Sequence, residues 1–218
     1  MKRNNTGFTL IELLVVIAIL GMLASMLIPA VTKALTSAAL TQTTSNGRAI
    51  YQGIFGEVLD NLSVSGGTSS WPSSTGDDAV SSSAEYFKSL VEDEIMNVPP
   101  SFFAAKGLTV ASDIDSLQSA NVAWKLVRNM TDSTRDGCPF IFTKNFDVSS
   151  IPTGGSTQRG SITLKEEDAA NGIPFGTAGG VVVQKGGAAI TLKGAKQLTE
   201  YNFNPATDNI GDNIDVVD

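Results

Sequence analysis

Glu12 is the only charged residue in "TGFTLIELLVVIAILGMLASMLIPAV", residues 6–31. A carboxylate in hydrocarbon costs about 2.5–3.5 kcal/mol on insertion scales, so this one asks for a partner. Elsewhere the residue types that do chemistry are sparse. There is no histidine in the chain, which removes the commonest general base and metal ligand together. Asp132, Thr134, Asp136 and Gly137 resemble the opening of a calcium loop, but the twelfth position is Thr143, where a bidentate glutamate belongs, so a turn is the better account. The glycine-rich run "NGIPFGTAGGVVVQKGG" fits neither phosphate-cradling pattern. Serines and lysines are abundant, yet no motif selects a nucleophilic pair. The single cysteine, Cys138, has no intramolecular partner and reads as a small buried apolar residue. No catalytic residue, cofactor or metal is expected, and the chain does not read as an enzyme.

What must position Glu12 is a helix. From Leu13 to Val31 there are 19 residues without a charge. At 1.5 Å per residue they reach roughly 28 Å, about one bilayer core. Lys2 and Arg3 precede them, which predicts a cytoplasmic N-terminus and an extracytoplasmic remainder. A small-residue cut site of the ordinary secretory kind does not follow: Ile28-Pro29-Ala30 is too bulky and Thr36-Ser37-Ala38 is weak. Gly21 and Ser25 form a small-x-x-x-small pair that lets helices approach closely. Pro29 has no amide for the carbonyl of Ser25, which predicts a kink or opening there, or the end of the span.

The rest of the chain reads as one head domain. Ile50, Ile54, Val58 and Leu62 recur every four residues, with Phe55 and Leu59 beside them, predicting that the helix continues to about Leu62 with one buried face; Gly47 weakens that continuity. A Gly/Ser-rich loop containing Trp71-Pro72 follows, the tryptophan expected to tuck onto the head. Ser82 and Glu85 offer a capping box for a helix to about Met96, with Phe87, Leu90, Val91 and Ile95 inward. Val122, Trp124 and Leu126 alternate as a strand, "CPFIFTKNF" predicts another, and "GGVVVQKGGAAITL" predicts a hairpin around Lys185-Gly186-Gly187. The end, "ATDNIGDNIDVVD", reads as an acidic surface tail. The formal charge of −7, with no basic cluster outside the N-terminus, disfavours nucleic acid as a partner.

The string Gly7-Phe8-Thr9-Leu10-Ile11-Glu12, behind a short basic leader and ahead of an apolar helix, resembles the processing site of type IV prepilins and type II secretion pseudopilins. Gly21 and Pro29 also stand where that family carries a glycine and a proline. The resemblance implies cleavage between Gly7 and Phe8 by a prepilin peptidase and N-methylation of Phe8. Removing Lys2 and Arg3 would leave 13 basic against 22 acidic residues, a charge near −9. The new ammonium of Phe8 remains cationic at neutral pH after methylation, and in a staggered assembly it could pair with Glu12 of a neighbouring subunit and fix register.

The expected architecture is thus α+β and pilin-like. Residues 1–7 are a leader, 8–31 a transmembrane and filament-core helix, 32–62 its amphipathic half packed on an antiparallel sheet, and 63–218 the globular head. Glu12, Gly21, Ser25 and Pro29 are the expected assembly residues. The expected partners are the peptidase, copies of this chain or other pilin-like subunits, and an inner-membrane assembly platform. The chain would start as a single-pass inner-membrane protein and end in a periplasmic or surface filament of the pilus or secretion type. The alternative is an extracytoplasmic binding or hydrolytic domain that uses the helix only as an anchor.

Overall fold

The computed structural model of the protein describes residues 9–64, 71–73, 79–131, 134–148, 162–192 and 215–217. Its fold is α+β: a long apolar N-terminal helix followed by a five-stranded antiparallel sheet. The chain divides into two compact units, Met1–Ala38 and Ala39–Asp218. Helix α1, Leu10–Val64, contributes to both and is assigned as helix throughout its 55 residues.

Pro29 does not interrupt α1, although it withholds an amide from the Ser25 carbonyl. The following turns are intact, with the Thr32 hydroxyl donating to Ile28 O at 3.0 Å. Gly47 does not weaken the helix in the way its propensity suggests, because packing fixes it. A Cβ at that position would lie 2.6 Å from Trp124 Cη2 and 2.8 Å from Val183 Cγ2, so only glycine lets the helix backbone come this close to the sheet. Around it Ile50, Ile54 and Val58 are buried, the four-residue recurrence expected of a one-sided helix, and Leu40 is buried as well. The side chains of Leu59 and Leu62 lie outside the described residues. Phe55 is off this face, 37 % exposed and stacked on Tyr51 at 5.5 Å.

The sheet has the order β4-β3-β2-β1-β5, with β1 Trp124–Arg128, β2 Pro139–Thr143, β3 Gly180–Gln184, β4 Ala189–Leu192 and β5 Asp215–Val217. The first four are the strands the alternation and the turn residues predict. Trp124, Leu126 and Val127 in β1, and all of β2, are buried, so the central strands are covered on both faces rather than one. The β3–β4 hairpin closes where expected: Gly187 N donates to Gln184 O at 2.8 Å, and Gly187 takes φ +83°, a left-handed conformation that glycine adopts without a Cβ clash.

Two expectations are corrected. The acidic end is not simply a tail, because Asp215–Val217 forms β5 and pairs antiparallel with β1, Leu126 opposite Val217; three residues, Asp-Val-Val, are too few to announce a strand. Helix α2, Ser83–Glu92, stops four residues before Met96. Glu94 turns left-handed at φ +60°, and Met96 N folds back to Leu90 O at 2.9 Å, burying Met96 without further helix. At the other end Ser82 accepts from Glu85 N at 3.1 Å, but the Glu85 carboxylate reaches back to Ser81, taking its amide at 3.2 Å and its hydroxyl, instead of Ser82. These bonds hold the Glu85 carboxyl below its ordinary range. Phe87 and Leu90 are buried, with Val91 and Ile95 partly so. Trp71 is tucked in as expected, edge-on to Phe140 at 5.3 Å with the Lys185 ammonium 5.5 Å from its ring.

Candidate functional site

Among the described residues up to Val31 the one charged side chain is Glu12, in the first turn of α1, and it is not free. Its carboxylate accepts from Thr9 N at 2.9 Å and from the Thr9 hydroxyl at 2.7 Å, while Thr9 Oγ1 accepts from Glu12 N at 3.4 Å. This is a reciprocal capping box that satisfies amides at the helix start. The signal was in the sequence as Thr9-x-x-Glu12, and reading Glu12 only as an intersubunit partner overlooks it. The isolated chain therefore already supplies the carboxylate with local donors.

Beyond that turn the helix is exposed on all sides as far as Val31. Every large apolar residue from Leu10 to Val31 is at least 45 % exposed. The segment is long and apolar enough to cross a membrane, with mean hydropathy 2.7 in its best window. A Cβ at Gly21 would meet nothing within 4 Å. The Ser25 hydroxyl donates to Met22 O at 2.7 Å, so its polarity is absorbed by its own helix and what it shows to a neighbour is mainly its small size. At 100° per residue Gly21 and Ser25 share a face, while Glu12 lies about 180° around the helix from Gly21 and about 13 Å along it. The structure thus brings two of the expected assembly residues together and sets Glu12 on the other side; Pro29 lies one turn past Ser25. Gly7 and Phe8 lie outside the described residues.

The weaker candidates in the head resolve into structure. Thr134 is buried, its hydroxyl accepting from Thr131 N at 2.9 Å and its carbonyl from Lys185 Nζ at 2.8 Å, so an amine closes this loop. Asp132 lies outside the described residues, and Thr143 is buried in β2. Among the described residues no cluster of acidic, cysteine or histidine side chains could hold a metal. Cys138 is buried, and that burial pushes its thiol up to about 12.

Comparison with known proteins adds one match. The family described as the prokaryotic N-terminal methylation motif matches residues 2–28. No curated protein and no solved structure matches the chain. The match includes Lys2, Arg3, Gly7 and Phe8 and runs through the apolar helix to Ile28, and it supports placing the chain in the type IV pilin and pseudopilin family.

Proposed function

We propose that this chain is a structural subunit of a type IV pilus-like or type II secretion pseudopilus filament. A prepilin peptidase cleaves it after Gly7 and methylates Phe8, and an inner-membrane platform packs it helix to helix with copies of itself or with related subunits. The observation that carries the reading is the match to the methylation motif over residues 2–28, together with the exposed apolar side chains of α1 from Leu10 to Val31. Helix-to-helix packing in a filament would cover them after the subunit leaves the bilayer, where lipid covers them.

The placement of Glu12 refines the mechanism. With Gly21 and Ser25 on one side and Glu12 on the other, a subunit engages one neighbour by close approach and another by charge. The ammonium of an incoming Phe8 would replace the Thr9 donors at Glu12 with a cationic one, a stronger, charge-assisted bond. The assembled pair would then hold register because a slip by one subunit leaves both charges buried and unpaired. Before assembly the chain is held in the inner membrane with its N-terminus cytoplasmic, and the head of residues 63–218 stands outside.

The test is the N-terminus of the protein recovered from its native membrane or sheared surface fraction. Sequencing and mass spectrometry should find a chain that begins at N-methylated Phe8. A Gly7→Leu variant should accumulate unprocessed, because the peptidase must accept the backbone closely at that residue. A mature chain that begins at Met1, or well beyond Pro29, would exclude this reading and leave the anchor-only alternative.

A further inference from the structure

The described cations from Ala39 onward differ in whether the head supplies them with a partner. Lys88 meets Glu92 at 3.5 Å and Asp115 at 3.6 Å, Lys165 meets Asp147 at 3.8 Å, and Lys185 Nζ donates to Thr134 O at 2.8 Å. Lys106, Lys125, Arg128, Arg135 and Lys144 are engaged too. Arg48 is the exception: it is exposed on α1, and its guanidinium makes no hydrogen bond, ion pair or ring contact among the described residues. In a chain whose 22 acidic residues outnumber its 15 basic ones, an arginine is not left over for want of carboxylates.

Its surroundings on α1 are those of a contact surface. At 100° per residue, Gln52 and Phe55 lie within about 40° of Arg48 around the helix, on a stripe about 10 Å long. All three are exposed, whereas Ile50 and Ile54 are buried. Phe55 is held by stacking on Tyr51 at 5.5 Å, and a Cβ at Gly56 would meet nothing within 4 Å, so the stripe is open. Arginine and aromatic residues are enriched at protein–protein interfaces relative to the rest of the surface.

A complementary surface stands elsewhere on the same head. Lys88 ties the end of α2 to the loop that follows Val110, so that the run Glu92-Asp93-Glu94 and the pair Asp113 and Asp115 converge. All five are exposed, Asp115 with 88 % of its side chain, and one ammonium cannot neutralise five carboxylates. Asp113 is turned onto its own turn, accepting from Ser116 N at 2.7 Å and the Ser112 hydroxyl at 2.9 Å, which leaves Asp115 the carboxylate most open to a visitor. The large apolar residues exposed in the described head are Phe55, Val110 and Ile190. Phe55 accompanies the unpaired arginine, and Val110 precedes Asp113 by three residues.

We propose that the stripe of Arg48, Gln52 and Phe55 on one subunit docks on the acidic surface of a second copy, with Arg48 against Asp115 and Phe55 against Val110. This rests on the filament reading above and adds a contact between heads to the packing between helices. The two surfaces are different parts of one chain, so the contact is heterologous: each copy presents its stripe to one neighbour and its carboxylates to another, and the array stays open where the rotation does not close. An exposed ion pair contributes little by itself, but like charges brought together at an interface cost more, so the contact also selects register.

The experiment is a charge swap in the full chain, reading filament yield in the sheared surface fraction, or secretion for a pseudopilus, beside membrane abundance and the N-terminal residue. Arg48→Glu should keep the start at Phe8 and the membrane level while yield falls by about fivefold or more. Asp115→Arg alone should also lower the yield, and the two together should restore most of it. Both positions are exposed, so the variants should keep the fold, as circular dichroism would verify. Parent-level filaments from Arg48→Glu would overturn the docking and leave the filament reading standing. A loss that Asp115→Arg does not repair would overturn the assigned partner surface. A native chain that neither begins at Phe8 nor forms filaments would remove both readings together.

Discussion

Gly21 and Gly47 occupy the same helix, and their surroundings differ completely. At Gly21 an added Cβ would meet nothing; at Gly47 it would strike Trp124 and Val183. The first stretch of α1, to Ala38, has no core of its own, while the second, from Ala39, is buried along one face within the head unit. Residue type alone does not distinguish these roles. What differs is where each glycine finds its neighbour: Gly47 has it in its own chain, and under the proposed function Gly21 finds it in another. Under that function the subunit is half folded by itself, and the other half of its apolar surface waits for lipid or a partner.

The sharpest way to break that comparison is Glu12→Val. Removing a charge that costs about 2.5–3.5 kcal/mol to insert should favour the membrane form. Loss of the capping box should fray only the first turn. Membrane abundance and Gly7-Phe8 cleavage should therefore persist, whereas filament yield, or secretion for a pseudopilus, should fall severalfold or vanish. Normal assembly at normal abundance would show that the N-terminal half needs no charged partner.

A matched pair of substitutions tests the two glycines directly. Gly47→Leu should destabilise the head by about 1–3 kcal/mol, the usual cost of overpacking, seen as a lower unfolding midpoint by circular dichroism of the full chain in detergent. Gly21→Leu should leave that midpoint unchanged, because its surroundings are open, and should reduce assembly by crowding the face it shares with Ser25. If Gly21→Leu lowered the midpoint as much as Gly47→Leu, the division between a self-packed and a partner-packed half would be wrong.

The smallest effect is expected inside the head, at the start of α2. Glu85 is held below its ordinary carboxyl value of 4.5 chiefly by the Ser81 hydroxyl. A carboxylate with a depressed folded value contributes stability that is fully present above about 4.5 and is lost as pH falls through the lower folded value. Since the group is exposed, solvent screens much of it and the contribution is small. Glu85→Gln should lower neutral-pH stability slightly and leave stability below the folded value nearly unchanged, which flattens the acid limb of the head's stability curve. An acid limb identical to that of the parent chain would remove Glu85 from the account.

The sequence disclosed most of what depends on local pattern. Leu13–Val31, the four-residue recurrence through Val58, the Ser82 cap and the Lys185-Gly186-Gly187 turn were all readable because each is written in neighbouring residues. What escaped depends on partners far along the chain. Gly47 reads as a poor helix residue until Trp124 and Val183 arrive against it. Asp215–Val217 reads as a tail until β1 offers an edge. Thr9 and Glu12 are the exception: their spacing was plain, and attention to the acid's cost hid its capping role.

The pairing of β5 with β1 also sets an order of events in folding. β1 and β2 are close in sequence, as are β3 and β4, so these contacts require short closures. Leu126 meets Val217 only after the whole intervening chain has been looped, a larger entropic cost and a slower step. Until then β1 keeps one edge bare, an open template for any extended strand it meets. Three residues thus act as a bolt on the sheet: brief in contact area, far along the chain from the strand they close, and placed on the edge of β1 that would otherwise be open to a neighbour.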